Sequence, residues 1–144
     1  MAYGTPEEVA ALARLWTQDG EWVDPDDYAE ERGTNPTLTT VNLWLDQLSS
    51  QMDLCLQTNW FVVPVDPDDS PTAHAAIAQY IVELAAGLAR SANGQEGGVS
   101  TGRQAKDMCA WVASNADGFV KDGVQQVEQT DKKTQIKFRV IGTL

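Results

Sequence analysis

Six apolar residues, Leu38, Val41, Leu45, Leu48, Met52 and Cys55, recur at spacings of 3, 4, 3, 4 and 3, and that rhythm constrains the fold more than any other feature. On an α-helix such positions form one continuous stripe, which must be buried against other elements. Leu43 and Trp44 widen the apolar arc beyond a two-residue seam, so neighbours are expected on more than one side. A free-standing coiled coil is the rival reading. It is disfavoured by the short run of heptads and the scarcity of the flanking charges that set partner choice.

The openings of the other segments carry their own signals. Thr5-Pro6-Glu7-Glu8 offers an N-cap hydroxyl, a proline at the first helical position and a glutamate three residues on to close a capping box. Val9, Leu12, Ala13 and Trp16 then share a face, and this helix is expected to end between Trp16 and Gln18, ahead of Asp19-Gly20. Asn35-Pro36 and Ser70-Pro71 repeat the cap-plus-proline opening for the second and third helices. In the third, Ile77, Tyr80, Ile81, Leu84 and Leu88 line one face, and Arg90 with Ser91-Ala-Asn-Gly94 ends it. A fourth helix is expected over 103–116, with Ala105, Met108, Cys109 and Val112 inward, Trp111 near the rim and Asp117-Gly118 as the stop. The expected fold class is mainly α, a small bundle of about four helices.

The C-terminal part of the chain is different in kind. Residues 119–133 read as a polar tether, and beyond it lies the run 134–141, containing Thr134, Ile136, Lys137, Phe138, Arg139, Val140 and Ile141. Ile136, Phe138 and Val140 alternate with Lys137 and Arg139, the period of two of a half-buried strand. A single strand has no fold of its own, because its N–H and C=O groups need a neighbouring edge. Upstream only the short run 60–63, stopped by Pro64, resembles a partner, so the strand is expected to be completed by another chain. The chain thus divides into an acidic helical bundle, 1–120, and an extended C-terminal arm, 121–144, that carries the strand.

Charge respects the same division. Of the 144 residues, 1–120 hold 18 acids and 5 bases, a balance of −13, whereas 121–144 hold 3 acids and 5 bases, a balance of +2. An acidic body argues against ordinary phosphate-backbone binding, which draws its affinity from Lys and Arg that release counterions. It is compatible with a surface that DNA passes without sticking. A chain of this length buries about 68–70% of the surface its unfolded form exposes and needs no disulfide or metal staple. Cys55 and Cys109 therefore read as reduced core thiols, with a disulfide as the minority reading. No run of about eighteen apolar residues suggests a membrane span, and the first residues lack the basic and apolar regions of a secretory signal, so synthesis in a cytosol is expected.

Catalytic constellations are thin. The single histidine, His74, sits among alanines and prolines with no partner at a spacing suited to general-base work, and it reads as a surface residue. One His and two distant Cys cannot supply a zinc site of common spacing. The segments Asp24-Pro-Asp-Asp27 and Asp66-Pro-Asp-Asp69 invite a calcium reading, but the sixth and twelfth positions, Ala29 and Asn35 or Pro71 and Ile77, are not the Gly and Glu an EF-hand needs. Solvated turns explain both. Gly94-Gln-Glu-Gly-Gly98 lacks the Lys and Ser/Thr of a phosphate loop and reads as a flexible connection. The five tryptophans are interleaved with acids rather than bases. Trp22 and Tyr28, in the long acidic loop 19–34, and Trp60 and Phe61 are candidates for inter-subunit contacts.

The order of segments carries a resemblance. Tyr3-Gly-Thr-Pro-Glu-Glu-Val-Ala10, then Asn35-Pro-Thr-Leu-Thr-Thr-Val-Asn-Leu-Trp-Leu-Asp46 running into Met52-Asp-Leu-Cys-Leu56, then Phe61-Val-Val-Pro-Val65, resembles head–tail connector (adaptor) proteins of long-tailed bacteriophages. It spans about residues 3 to 90 and contains no catalytic motif. The resemblance implies a small helical bundle that forms a ring, usually twelvefold, beneath the portal protein, extends the DNA channel and offers a surface to a stopper or tail-completion protein. It implies assembly in the host cytoplasm into the neck of the virion, no cofactor, and a C-terminal arm docked on the portal or a neighbouring subunit. The acidic loop 19–34 and the basic strand map onto no signature of that family.

The leading expectation is therefore a structural ring subunit, not an enzyme, that lets DNA pass without sequence-specific binding and has no membrane partner. The alternatives are another neck protein, such as a stopper or tail terminator, and an acidic DNA-mimic inhibitor of a host factor. The last would cluster its acids on one helical face, yet most acids here lie in loops.

Overall fold

A computed structural model describes residues 2–26, 28, 32–94 and 101–127, with the backbone alone for 101–106. The molecule is mainly helical. α1 (Pro6–Leu12) is followed by a 3-10 turn (Arg14–Trp16), and three long helices make up the rest: α2 (Leu38–Thr58), α3 (Pro71–Ala92) and α4 (Thr101–Lys121). α2 is central, packing on both α3 and α4, while α1 packs on α3 and, less extensively, on α2. The expected strand at 134–141 lies outside the described residues.

The stripe behaves as its spacing demands. Val41, Leu45, Leu48, Met52 and Cys55 are all buried, and Leu38 is half-buried at the rim. From α3, Ile77 and Ile81 meet them among small residues, Ala78, Ala85, Ala86 and Ala89, that let the two helix axes approach closely. Met108 and Val112 close the core from α4. An aromatic row continues it: Tyr80 stacks on Trp111 at 4.4 Å, Trp111 meets Phe119 edge-on at 5.7 Å, and Phe119 meets Phe61 at 5.9 Å. These edge and offset geometries are the favourable ones for ring quadrupoles.

Several boundaries differ from the sequence expectation. α1 opens as its capping box requires, with Glu8 N–H donating to Thr5 Oγ1 at 3.3 Å, but ends at Leu12, one turn early. α2 is capped by Thr37, which accepts from Thr40 N–H at 3.2 Å, so Pro36 precedes the helix instead of standing at its first position. α4 runs through Asp117-Gly118 to Lys121. A mid-helix glycine costs only about 1 kcal/mol relative to alanine, less than the burial of Phe119 one residue later returns. The segment read as a tether is body as far as Val127, with Phe119 and Val124 buried.

The cysteines differ most. In place of reduced core thiols, Cys55 of α2 and Cys109 of α4 are joined as a disulfide with Cα atoms 4.8 Å apart. Both sit where the two helices meet, a proximity that no spacing in the sequence encodes. The bond closes a loop with a sequence separation of 54, which on chain-entropy grounds contributes about 4 kcal/mol.

α2 and α4 end in the same way. Phe61 N–H donates to Leu56 O and Trp60 N–H to Gln57 O; Val124 N–H donates to Phe119 O and Gly123 N–H to Val120 O. Both are Schellman closures, which need a left-handed residue just past the helix. Gly123 fills that position at φ 91° without cost, whereas at the end of α2 it is Trp60, at φ 65°. A side chain there costs about 1–2 kcal/mol.

Candidate functional site

The two closures bring two short extended segments together. After α2, Val62 N–H donates to Gln125 O at 2.8 Å, and Val127 N–H donates to Trp60 O at 2.8 Å, pairing Phe61 with Gln126 in antiparallel sense. Gln126 Nε2 adds a bond to Asn59 O at 3.2 Å. The run 60–63 does find a partner, then, in 125–127 of its own chain. One face of this ladder is core, with Phe61 against Phe119 and Val124 beneath. The other face shows Trp60, 38% exposed, and Val62, 46% exposed.

The expected contact residues separate accordingly. Trp22 is 4% exposed and donates its indole N–H to Pro6 O at 3.1 Å, and Phe61 is 2% exposed. Both are core residues, because the apolar area of a large aromatic ring outweighs the acidic company it keeps in sequence. Tyr28 is fully exposed in the acidic loop, and Trp60 lies half-exposed on the outer face of the ladder. Thr134, Ile136, Lys137, Phe138, Arg139, Val140 and Ile141 lie outside the described residues.

Sequence reasoning missed the node that organises this end of the molecule. Tyr3 is buried; its N–H donates to Ser49 Oγ at 2.8 Å, its hydroxyl donates to Asp53 Oδ1 at 2.6 Å, and the same hydroxyl accepts from Val65 N–H at 3.0 Å. Burial, with the Asp53 carboxylate beside it, pushes the hydroxyl well above the usual tyrosine range, so it stays a donor at any ordinary pH. One aromatic residue near a chain start has no periodicity to reveal it; the only signal is that it lies just ahead of a helix cap.

The carboxylates of the loops are also employed. Asp24 accepts from Thr39 N–H and from Thr39 Oγ1, both at 2.8 Å, and so covers the open N-terminus of α2. Those two bonds, the backbone one first, hold its carboxyl below the usual aspartate range. Asp122 accepts from Ala73 N–H at 2.7 Å and does the same for α3, whose N-cap residue Ser70 makes no such bond. Helix N-termini favour negative charge and leave N–H groups unsatisfied, so both placements are consequences of backbone chemistry.

Among the described residues, no group of three or more His, Cys, Asp or Glu side chains converges in a way that could hold a metal ion. His74 is half-buried, its ring 5.5 Å from that of Tyr3. It lines an open groove of about 690 Å³ between the chain start, α1 and α3, where Leu12 is 48% exposed and Glu8 and Glu83 supply charge. No described helix is long and apolar enough to cross a membrane. What the surface offers is contact area: this groove and the Trp60–Val62 face. Comparison of the chain with models of known protein families, with curated proteins and with solved structures finds no match in any of the three.

Proposed function

We propose that this chain is a structural subunit of a bacteriophage neck, assembling into a ring between the portal protein and a stopper or tail-completion protein and lining the channel through which DNA passes. The observation that carries the reading is the Tyr3 node. Of the segments whose order resembles the connector family, 3–10, 52–56 and 61–65 meet there, with Tyr3 bonded to Asp53 and to Val65, and 35–46 leads into and begins the helix that holds Asp53. A resemblance of scattered segments gains weight when those segments meet in space.

Charge supports the same reading. A body of balance −13 over residues 1–120 repels DNA rather than gripping it, and around a ring it repels its own copies, so assembly strengthens as added salt or divalent ions shorten the screening length. Residues 134–141 supply a strand edge for contact with an adjacent protein, as in strand addition to an exposed sheet.

The test is capture from the lysate of infected cells, with the full chain and a chain ending at Val127 as paired baits. The cut belongs after Val127 because 121–127 contain the Asp122 cap and the ladder. Retention of portal and tail-completion proteins by the full chain, and much less by the shorter one, is expected. Capture of a host nuclease or polymerase by both baits would replace the neck reading with the inhibitor reading, and assembly that weakens with salt would remove the charge argument.

A further inference from the structure

Asn93 and Gly94 close α3. Asn93 stands at the C-cap with φ −100° and ψ 14°, and Gly94 follows at φ 77°, a left-handed backbone that glycine adopts without cost. The Asn93 side chain reaches further than its own helix. Its Nδ2 donates to Ala89 O at 2.9 Å and to Asn35 O at 2.7 Å, so one amide ties the last turn of α3 to the segment that leads into α2. Asn35 answers from the other side, its own Nδ2 donating to Ala92 O at 3.4 Å.

The dipeptide that makes this latch is also a chemically labile one. Asn-Gly occurs once in the chain, and no described atom lies within 4 Å of where a Cβ on Gly94 would be. Nothing therefore shields the Gly94 nitrogen from the side-chain carbonyl carbon of the residue before it. We propose that Asn93 is a site of spontaneous covalent modification, deamidation through a five-membered cyclic imide, and that the amide latch gates it. The Gly94 nitrogen attacks Asn93 Cγ as its proton leaves, the Cγ–Nδ2 bond breaks and ammonia departs. Water then adds to one of the two imide carbonyls and opens the ring to aspartate or isoaspartate. Water is the sole co-reactant, and nothing is oxidised or reduced.

Closed, the latch holds every participant away from that path. Gly94 N–H donates to Ser91 O at 3.0 Å, and at the ψ of Asn93 the Gly94 nitrogen is turned away from Cγ, while Nδ2 is engaged by two carbonyls. Reaction thus requires the last turn of α3 to open, as helix ends do at low free-energy cost. The step runs one way. Either product puts a carboxylate where the amide donated, so Ala89 O and Asn35 O lose their donor and face a negative charge, at a helix end whose carbonyls are already partly negative. Isoaspartate also lengthens the main chain by one methylene at the cap. The latch cannot re-form, and the balance of residues 1–120 moves from −13 to −14 by the one acid gained. This holds whether or not the chain belongs in a phage neck.

The full chain, kept folded in mildly alkaline buffer and digested at intervals for mass spectrometry, tests the proposal. Conversion is expected at Asn93 ahead of Asn42, Asn59 and Asn115, and about tenfold or more slowly than in the same chain unfolded by urea, because only the open fraction reacts. No conversion at Asn93, or equal rates folded and unfolded, would overturn it. Asn93→Asp supplies one product directly. The amides of residues 93 and 94 should then exchange about fivefold or more faster than in the parent, with those at the centre of α3 unchanged; unaltered exchange at 93 and 94 would show that the amide is no latch. Gly94→Asn keeps a residue that tolerates the left-handed backbone but shields the nitrogen, and should slow conversion at position 93 about tenfold. Conversion at the parent rate would mean that the reaction does not pass through that nitrogen.

Discussion

The tetrapeptide Asp-Pro-Asp-Asp occurs at 24–27 and again at 66–69, each time ahead of a long helix, and the two first aspartates act in different ways. Asp24 reaches fifteen residues forward and takes both the N–H and the hydroxyl of Thr39, closing the N-terminus of α2. Asp66 acts only on its own turn: its side chain accepts from Asp68 N–H at 2.8 Å and its carbonyl from Ser70 N–H at 2.9 Å. α3 then takes its capping carboxylate from Asp122, at the far end of α4. Local sequence specifies that the chain turns. Which carboxylate serves which helix is decided by what the fold brings within about 3 Å.

The first loop can reach across only because it is pinned shut. Val23 and Thr34 hold its ends, through Thr34 N–H to Val23 O at 2.9 Å and Val23 N–H to Thr34 Oγ1 at 2.9 Å. Gly33 sits between them at φ 76°, where an added Cβ would lie 2.8 Å from both Val23 O and Pro25 N. These are backbone atoms that cannot swing aside, so Gly33→Ala is expected to cause the largest loss in this comparison, about 2–3 kcal/mol. Thermal unfolding should register it as a fall in Tm of about 10 °C. A variant that melts with the parent would mean the loop is not closed at this point and that Asp24 is not held by it.

The second helix start is broken from outside its own loop. Asp122→Ala removes the carboxylate from Ala73 N–H and is expected to cost about 1–2 kcal/mol in a denaturant titration, with the slope unchanged. Asp122→Asn, which keeps an acceptor oxygen, should recover most of that loss. Equal losses for the two would show that charge at the helix end, rather than the hydrogen bond, matters there.

These contrasts also mark how far the sequence could be read. The stripe from Leu38 to Cys55 and the run from Ile77 to Leu88 announced the two central helices, because burial of a periodic face is a local pattern with a global consequence. Thr5-Pro6 and Ser70-Pro71 placed two helix starts correctly, since a proline fixes the backbone of its own residue. Asn35-Pro36 misled by looking the same, while the hydroxyl that caps α2 belongs to Thr37. Cys55 with Cys109, Tyr3 with Asp53 and Val65, and Asp122 with Ala73 lie 49 to 62 residues apart. No spacing rule reaches that far. The candidate surface was half legible: Trp60 could be suspected from its place in a loop, but its partner segment, 125–127, reads as featureless polar chain.

A smaller effect separates the loops by pH. The hydrogen bonds from Thr39 hold the Asp24 carboxyl below its ordinary value in the folded state. A depressed carboxyl contributes stability that is fully present above the unfolded value of about 4 and is lost as the pH falls through the folded one. The parent chain should therefore lose this increment on acidification from about pH 5 to pH 2, whereas Asp24→Asn should lack it across the same range. Parallel stability–pH curves for the two would show that the contact with Thr39 does not distinguish charged from neutral Asp24.

The smallest change is expected at Asp66, although its tetrapeptide is the same. Its carboxylate accepts one bond from an N–H two residues on, in an exposed turn. An asparagine oxygen can accept that bond in the same geometry, so Asp66→Asn should stay within about 0.5 kcal/mol of the parent. The contrast with Asp24 lies in the donors: a local turn recruits a single amide, while a helix start offers several aligned N–H groups that prefer a full negative charge. If Asp66→Asn instead cost as much as Asp122→Ala, the second loop would be helping to cap α3, and the division of labour between the two loops would disappear.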